Sequence, residues 1–228
     1  MKPVNQGNIM GSNTQKKSIT PSGYFGQSPE HIHEIENFLT QEEIDFLYGK
    51  ISNNTIWDIT ESHFNEAGVC VYDHRIWQDR VATTDTLEKI DPEINVMLHK
   101  IIDRLKPIIE KAFNVEANPT WPALVRWPTG SLQVPHADKE LHSGPSAGTP
   151  NDFPWYDLST IFYLNDDYEG GELFFPNQSI QFKPKKGGVY FFPGDMNYIH
   201  GVRPVISGCR YTSPFFWTID KLGKQNNE

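Results

Sequence analysis

"GGVYFFPGDMNYIHGVRPVISGCRYTSPFFWTI", residues 187–219, is the stretch on which the fold turns. It holds three short runs, GGVYFFP, NYIHGV and CRYTSPFFWTI, separated by Gly, Pro and Asn turn signals. β-Branched and aromatic residues dominate the runs, which suits a pleated, half-buried surface rather than a helix. A histidine, His200, lies in the second run, and an arginine, Arg210, opens the third. A guanidinium carried into the inside of a β-barrel needs an anionic partner.

The same texture begins after Pro119. PALVRW, SLQVPH, LSTIFYLN, GELFFP and SIQFKP bring the total to about eight strands at short, fairly regular spacing, the pattern of a sandwich, jelly roll or barrel. There is no βαβ alternation, no Gly-rich phosphate loop and no long internal repeat. The expected class is therefore mainly β with packed helices (α+β). The best fit is a double-stranded β-helix, a jelly-roll or cupin-like barrel, with supporting helices N-terminal to it.

Two helices are predicted upstream. In "TQEEIDFLYGKI" Thr40 and Glu43 form a capping box, and Ile44, Leu47 and Tyr48 make one apolar face. "DPEINVMLHKIIDRLKPIIEKAF" is the stronger signal. Asp91 is expected as its cap and Pro92 as its first helical residue. Its stripe is Ile94, Met97, Leu98, Ile101, Leu105, Ile108 and Phe113, with Pro107 a candidate kink. Such a stripe must lie on something apolar, most simply a sheet. "HIHEIENFLT" reads as a short strand entering a turn, through Ile32, Ile35 and Phe38. Val69, Val71 and Ile76 are candidate strand residues in the stretch that follows. Residues 1–28, rich in polar residues and Gly, read as a flexible arm or a strap laid over the domain. Residues 29–222 read as one domain with its β-helix core over 120–218, and 223–228 as a polar tail.

The chain has 228 residues, enough for one sizeable core. A net charge of −9 supplies no basic footprint for non-specific nucleic-acid binding. Cys70 and Cys209 make neither a disulfide framework nor a zinc-finger set, which fits a reducing, cytoplasmic setting. No apolar core of a secretory signal and no run near the ~18 residues of a membrane span is present, so a soluble protein is expected.

The chemistry centres on "QVPHADKE", residues 133–140. His136 and Asp138 lie two apart, and residues i and i+2 of a strand end point the same way. Alone, the pair could equally be a structural hydrogen-bonded pair. With His200 it could form a face of two histidines and one carboxylate that leaves the other metal positions open, the facial triad of non-haem Fe(II) oxygenases. Arg210 offers a bidentate fork for a carboxylate.

HAD at 136–138, then "IFYLNDDYEGGELFFP", then the opening stretch together resemble the 2-oxoglutarate- and Fe(II)-dependent oxygenases, most of all their prolyl 4-hydroxylase type. The resemblance is strong over about 120–218 and extends back to "EIENFLTQEEIDFL". It implies that His136, Asp138 and His200 bind Fe(II). It implies that Arg210 pairs with the distal carboxylate of 2-oxoglutarate, with Tyr163 and Thr212 reaching the same group. Trp127 stands near a position where relatives often carry a tyrosine that touches the co-substrate; an indole presents no phenol there. The implied reaction consumes O2, decarboxylates 2-oxoglutarate to succinate and CO2, and hydroxylates a C–H bond, with ascorbate as a further cofactor. A prolyl residue of a peptide or protein is the implied substrate. A free amino acid, small metabolite or nucleobase is the alternative, and a metal-binding β-barrel with no oxygenase activity is a third. The loops at 60–85 and 139–157 are expected to select the substrate.

Overall fold

The computed structural model describes residues 18–58, 63–64, 70–72 and 77–223. The chain is mainly β, in antiparallel sheets, with few helices. The N-terminal part contributes β1 (His33–Ile35), α1 (Gln41–Ile51), β2 (His63–Phe64), β3 (Cys70–Tyr72), β4 (Val81–Ala82), α2 (Thr84–Ile90), α3 (Glu93–Phe113) and β5 (Val115–Pro119). The eight predicted runs are all strands: β6 (Leu124–Pro128), β7 (Gln133–His136), β8 (Leu158–Tyr163), β10 (Leu173–Phe175), β11 (Ile180–Phe182), β12 (Val189–Pro193), β13 (His200–Val202) and β15 (Cys209–Leu222). Two short additions, β9 (Glu169–Gly170) and β14 (Val205–Ser207), pair with each other. Val71 lies in β3, while Val69 and Ile76 fall outside the described residues, as do 1–17 and 224–228.

A seven-stranded sheet runs β1-β12-β8-β15-β6-β4, with β5 added to the far half of β15. A four-stranded sheet runs β11-β10-β13-β7. The long strand β15 organises the larger sheet, because its 14 residues pair with β6, β8 and β5 in turn.

Strand alternation sorts the core into two layers. Tyr211, Phe215, Trp217 and Ile219 of β15 join Phe162, Val189 and Phe191 against the helices. The alternate residues of the same strands face the second sheet. Tyr163, Tyr190 and Phe192 pack there with Leu173, Phe175 and Tyr198, and Val125 and Trp127 pack with Val202 and Val205. The site is built in this inner layer.

The helices follow their sequence signals with local shifts. Thr40 and Glu43 close the capping box on α1 in both directions. On α3 the buried stripe is Ile94, Leu98, Ile101, Ile102, Leu105, Ile109 and Phe113. Ile108, which the sequence pattern places in it, is 37% exposed, because Ile109 is the residue in phase with Ile102 and Leu105. Pro107 lies inside the helix. Pro92 is the N-cap rather than the first helical residue, and the Asp91 carboxylate accepts from the Glu93 N–H at 3.0 Å. Asn114 ends the helix in the left-handed conformation. No helix among the described residues is long and apolar enough to cross a membrane.

Candidate metal centre

The antiparallel register of β13 on β7 sets His200 directly opposite His136. Their ring centroids lie 4.5 Å apart. Asp138 follows the end of β7, where its N–H and that of Lys139 both donate to the Gly194 carbonyl, at 2.9 and 3.1 Å. Glycine is required there: a Cβ on Gly194 would stand 2.2 Å from the Tyr156 carbonyl oxygen. The turn carrying Asp138 and the end of β12 therefore approach backbone to backbone, and the carboxylate swings in beside the two imidazoles.

One ligand atom from each of the three residues falls within 4.8 Å of the others. His136 Nε2 is 3.4 Å from Asp138 Oδ1, and His200 Nε2 is 3.6 Å from Asp138 Oδ2. Neighbouring donors around an ion with ~2.1 Å bonds sit about 3 Å apart, so the spacing suits a small divalent cation. Each imidazole has its Nδ1 on a backbone carbonyl, His136 on Val134 at 3.0 Å and His200 on Tyr198 at 3.2 Å. A carbonyl can only accept, so both Nδ1 atoms carry the proton and both Nε2 atoms face the carboxylate. The Ser159 hydroxyl donates to Asp138 Oδ2 and fixes the rotation of that carboxylate.

The three groups polarise one another. Burial alone would lower the His136 imidazole, but the hydrogen bond and charge of Asp138 outweigh it and the net shift is upward. Burial would raise Asp138, yet the two histidines and Ser159 hold it below the usual carboxylate range. Burial takes His200 down to about 4, against the pull of Asp138 and helped by His136. At neutral pH the cluster thus presents a carboxylate and a neutral His200, with His136 shifted upward by the carboxylate beside it.

Arg210 lies deeper in the inner layer and is 1% exposed. Its Nη2 donates to the Tyr163 hydroxyl at 2.9 Å. Its Nε and Nη1 are buried with no hydrogen-bond partner, and no carboxylate pairs with it among the described residues. The guanidinium stands 4.8 Å from the Trp127 ring centroid and 4.9 Å from that of Tyr163. Trp127 spends its indole N–H on the Thr212 hydroxyl at 3.0 Å. Cross-strand register explains the gathering, because Arg210 opposes Trp127 and Thr212 opposes Tyr163. Arg210 and the three residues singled out around it, Tyr163, Thr212 and Trp127, are brought together, as are the three of the triad.

Three neighbours carried no motif. Ser159 shares its strand face with Ile161 and Tyr163, and alternation back from Tyr163 would have found it. Tyr168 turns a buried hydroxyl toward Arg210, and burial holds it protonated against the charge and hydrogen bonding of that guanidinium. Tyr156 stacks on Phe216 with centroids 3.8 Å apart and rings nearly parallel. Burial and the charge of Asp138 push its hydroxyl up to about 12. Phe216 opposes Ser159 in the register, so this aromatic pair borders the triad. Lys139 and Glu140, read as the start of the substrate loop, are instead buried anchors, each 4% exposed.

Residues 123–218 match the model of the 2OG-Fe(II) oxygenase superfamily. Prolyl 3-hydroxylase 2 of Homo sapiens is 32% identical over 81 residues, covering 33% of this chain and 11% of that protein. A PKHD-type hydroxylase of Delftia acidovorans is 43% identical over 68 residues, covering 27% and 28%. The chain thus spans well under a third of the length of these relatives. Among solved structures, the viral collagen prolyl hydroxylase of Paramecium bursaria Chlorella virus-1, in its 2OG complex, superposes with a TM-score of 0.59 at 18% identity, over 84% of this chain and 98% of that one. A Pseudomonas putida prolyl-4-hydroxylase gives 0.55 at 16%, over 82% and 92%. A Trichoplax adhaerens prolyl hydroxylase solved with a hypoxia inducible factor peptide gives 0.59 at 19%, over 83% and 84%. At these identities the superpositions establish a shared fold. The matched segment is the one that carries His136, Asp138, His200 and Arg210, so the similarity to the 2OG-Fe(II) oxygenase superfamily lies over the candidate site itself.

Proposed function

We propose that the protein is a 2-oxoglutarate- and Fe(II)-dependent dioxygenase that hydroxylates a prolyl residue of a peptide or protein. Its jelly-roll barrel is formed by the two facing sheets, in a single domain over 29–222. His136 Nε2, His200 Nε2 and the Asp138 carboxylate would hold the iron, with Ser159 keeping that carboxylate in place. Arg210 would hold the distal carboxylate of 2-oxoglutarate through its Nε and Nη1, with the Tyr163 hydroxyl and Thr212 beside it and Trp127 lying against the guanidinium.

The observation that carries this reading is Arg210 itself. A buried cation with two unpartnered donors is costly unless an anion completes it. A zinc hydrolase with the same triad has no use for such a group. Iron held there would activate O2, the oxidant, with 2-oxoglutarate as the electron donor, supplying oxidising power that no side chain has. The chain's own residues orient the keto acid, shield it from water and set which C–H approaches the open positions. Prolyl substrates are supported by the relatives named above, all of them hydroxylases and four of them named for proline. A nucleic-acid substrate draws no support from a net charge of −9.

Purified protein with Fe(II), ascorbate and 2-oxoglutarate should release succinate, faster when a proline-rich peptide is added. Absence of turnover under every iron condition would sink the oxygenase reading. Turnover that no peptide stimulates, but that a free amino acid or metabolite does, would keep the chemistry and move the substrate.

A further inference from the structure

Lys139 and Asp157 form an ion pair of 2.9 Å, buried to 4% and 1% exposure, directly beside Asp138. The barrel does not complete this pair. Lys139 Nζ donates to the Ser18 hydroxyl at 2.9 Å, the Thr20 carbonyl at 2.9 Å and the Thr20 hydroxyl at 2.8 Å. The Thr20 hydroxyl at 2.6 Å and the Ser18 hydroxyl both sit on Asp157 Oδ1. The other oxygen of Asp157 accepts from the Ile219 N–H at 2.9 Å. Of the acceptors around this ammonium, only the carboxylate belongs to the domain behind it; the rest come from the N-terminal segment.

That segment continues along the same side of the site. The Ser22 hydroxyl donates to Glu140 Oε2 at 3.0 Å, an oxygen that also takes the Met196 N–H at 3.0 Å. Gly23 N–H donates to Asp195 Oδ2 at 3.1 Å. Asn197 Nδ2 donates to the Gly26 carbonyl at 2.9 Å, and the Tyr198 hydroxyl to the Ser28 carbonyl at 3.0 Å. Residues 18–28 therefore bond to both stretches that carry candidate ligands: 139–140, just after Asp138, and 195–198, just before His200.

We propose that residues 18–28 act as a clasp on the metal centre. Thr20, through the Lys139–Asp157 pair, holds Asp138 in its ligating orientation, so that docking of the clasp and binding of the metal favour each other. The inference rests on the metal reading given above. An ammonium buried this deeply cannot keep its place with a single acceptor. Without the clasp, Lys139 must move toward water and draw with it the backbone it shares with Asp138. Asp157 anchors the other side, two residues before the Ser159 that fixes the Asp138 carboxylate. Thr20, Lys139 and Asp157 are positioning residues, since they act on the ligand from behind. Because coupling between two binding events is reciprocal, metal must tighten the clasp as much as the clasp tightens metal.

The test is calorimetric titration of Mn(II) into the full chain as wild type, Thr20→Val and Thr20→Ser. Thr20→Val keeps the shape and removes the hydroxyl. It should weaken Mn(II) binding on the order of tenfold, the low end for partners of metal ligands. Thr20→Ser restores the hydroxyl and should bind close to the wild type. In the wild type, saturation with Mn(II) should slow hydrogen exchange at Gly23 and its neighbours, which decides the matter even if Thr20→Val fails to fold. Exchange across 18–28 that ignores metal, or Thr20→Val binding equal to wild type, would overturn the clasp. A wild type that binds no divalent metal would instead overturn the metal centre.

Discussion

Replacing Arg210 with methionine separates binding from stability in a way that few substitutions do. Methionine keeps most of the length and volume of the buried stem and deletes the charge. In the protein without co-substrate the guanidinium is desolvated, with one hydrogen bond to Tyr163 and two unpartnered nitrogens. Removing an incompletely paired buried charge is neutral or stabilising. The same change removes one side of a charge pair once a carboxylate is bound, which costs about 2–5 kcal/mol, or roughly 30-fold to several thousand-fold in Kd. Thermal unfolding and calorimetry with Mn(II) in place of iron read both quantities. Arg210→Met should unfold at the wild-type temperature or above it, bind Mn(II) normally, and bind 2-oxoglutarate at least ~30-fold more weakly. A variant that is strongly destabilised yet binds 2-oxoglutarate like the wild type would refute the reasoning, because Arg210 would then be a structural cation.

Three further outcomes follow from the geometry. His136→Ala and His200→Ala should each abolish measurable Mn(II) binding while far-ultraviolet circular dichroism stays native; retained tight binding would exclude that residue as a ligand. Ser159→Ala should free the Asp138 carboxylate to rotate and weaken Mn(II) roughly tenfold, with smaller effects on 2-oxoglutarate; an unchanged affinity would show that the hydroxyl holds nothing. Glu43→Gln keeps the capping box and removes the charge facing Arg104, whose Nη1 and Nη2 bond to Glu43 at 2.6 and 2.7 Å. Those bonds hold the folded carboxyl of Glu43 below its ordinary value. Its stabilisation is therefore complete above the ordinary carboxylate range and lost as pH falls through the lower folded value. The variant should be less stable by about 1–2 kcal/mol at pH 7, and the gap should close in acid; a gap independent of pH would contradict the assignment.

Much of the site is written in short-range pattern. The HxD spacing turns two candidate ligands to one side of a strand end. Alternation along β15 places Arg210 and Thr212 on the inner face and Tyr211, Phe215 and Trp217 against the helices. What is not legible depends on pairings between distant segments. The opposition of His136 and His200 is a register between β7 and β13, which no local pattern encodes. Lys139 and Glu140 look like loop residues because the partners that bury them, Ser18, Thr20 and Ser22, come from the far end of the chain. On α3 the difference is one of phase, with Ile108 and Ile109 adjacent and only one able to face the core.

In the proposed function this chain couples O2 reduction to decarboxylation of 2-oxoglutarate on the His136–Asp138–His200 face. Turnover under labelled dioxygen, 18O2, with a proline-rich peptide tests it most directly. Mass spectrometry should find one labelled oxygen in succinate and the other, diluted at most by exchange with water, as a hydroxyl on the peptide. Succinate that forms without label, or peptide that remains unmodified while 2-oxoglutarate and every candidate small molecule are left unconsumed, would contradict it.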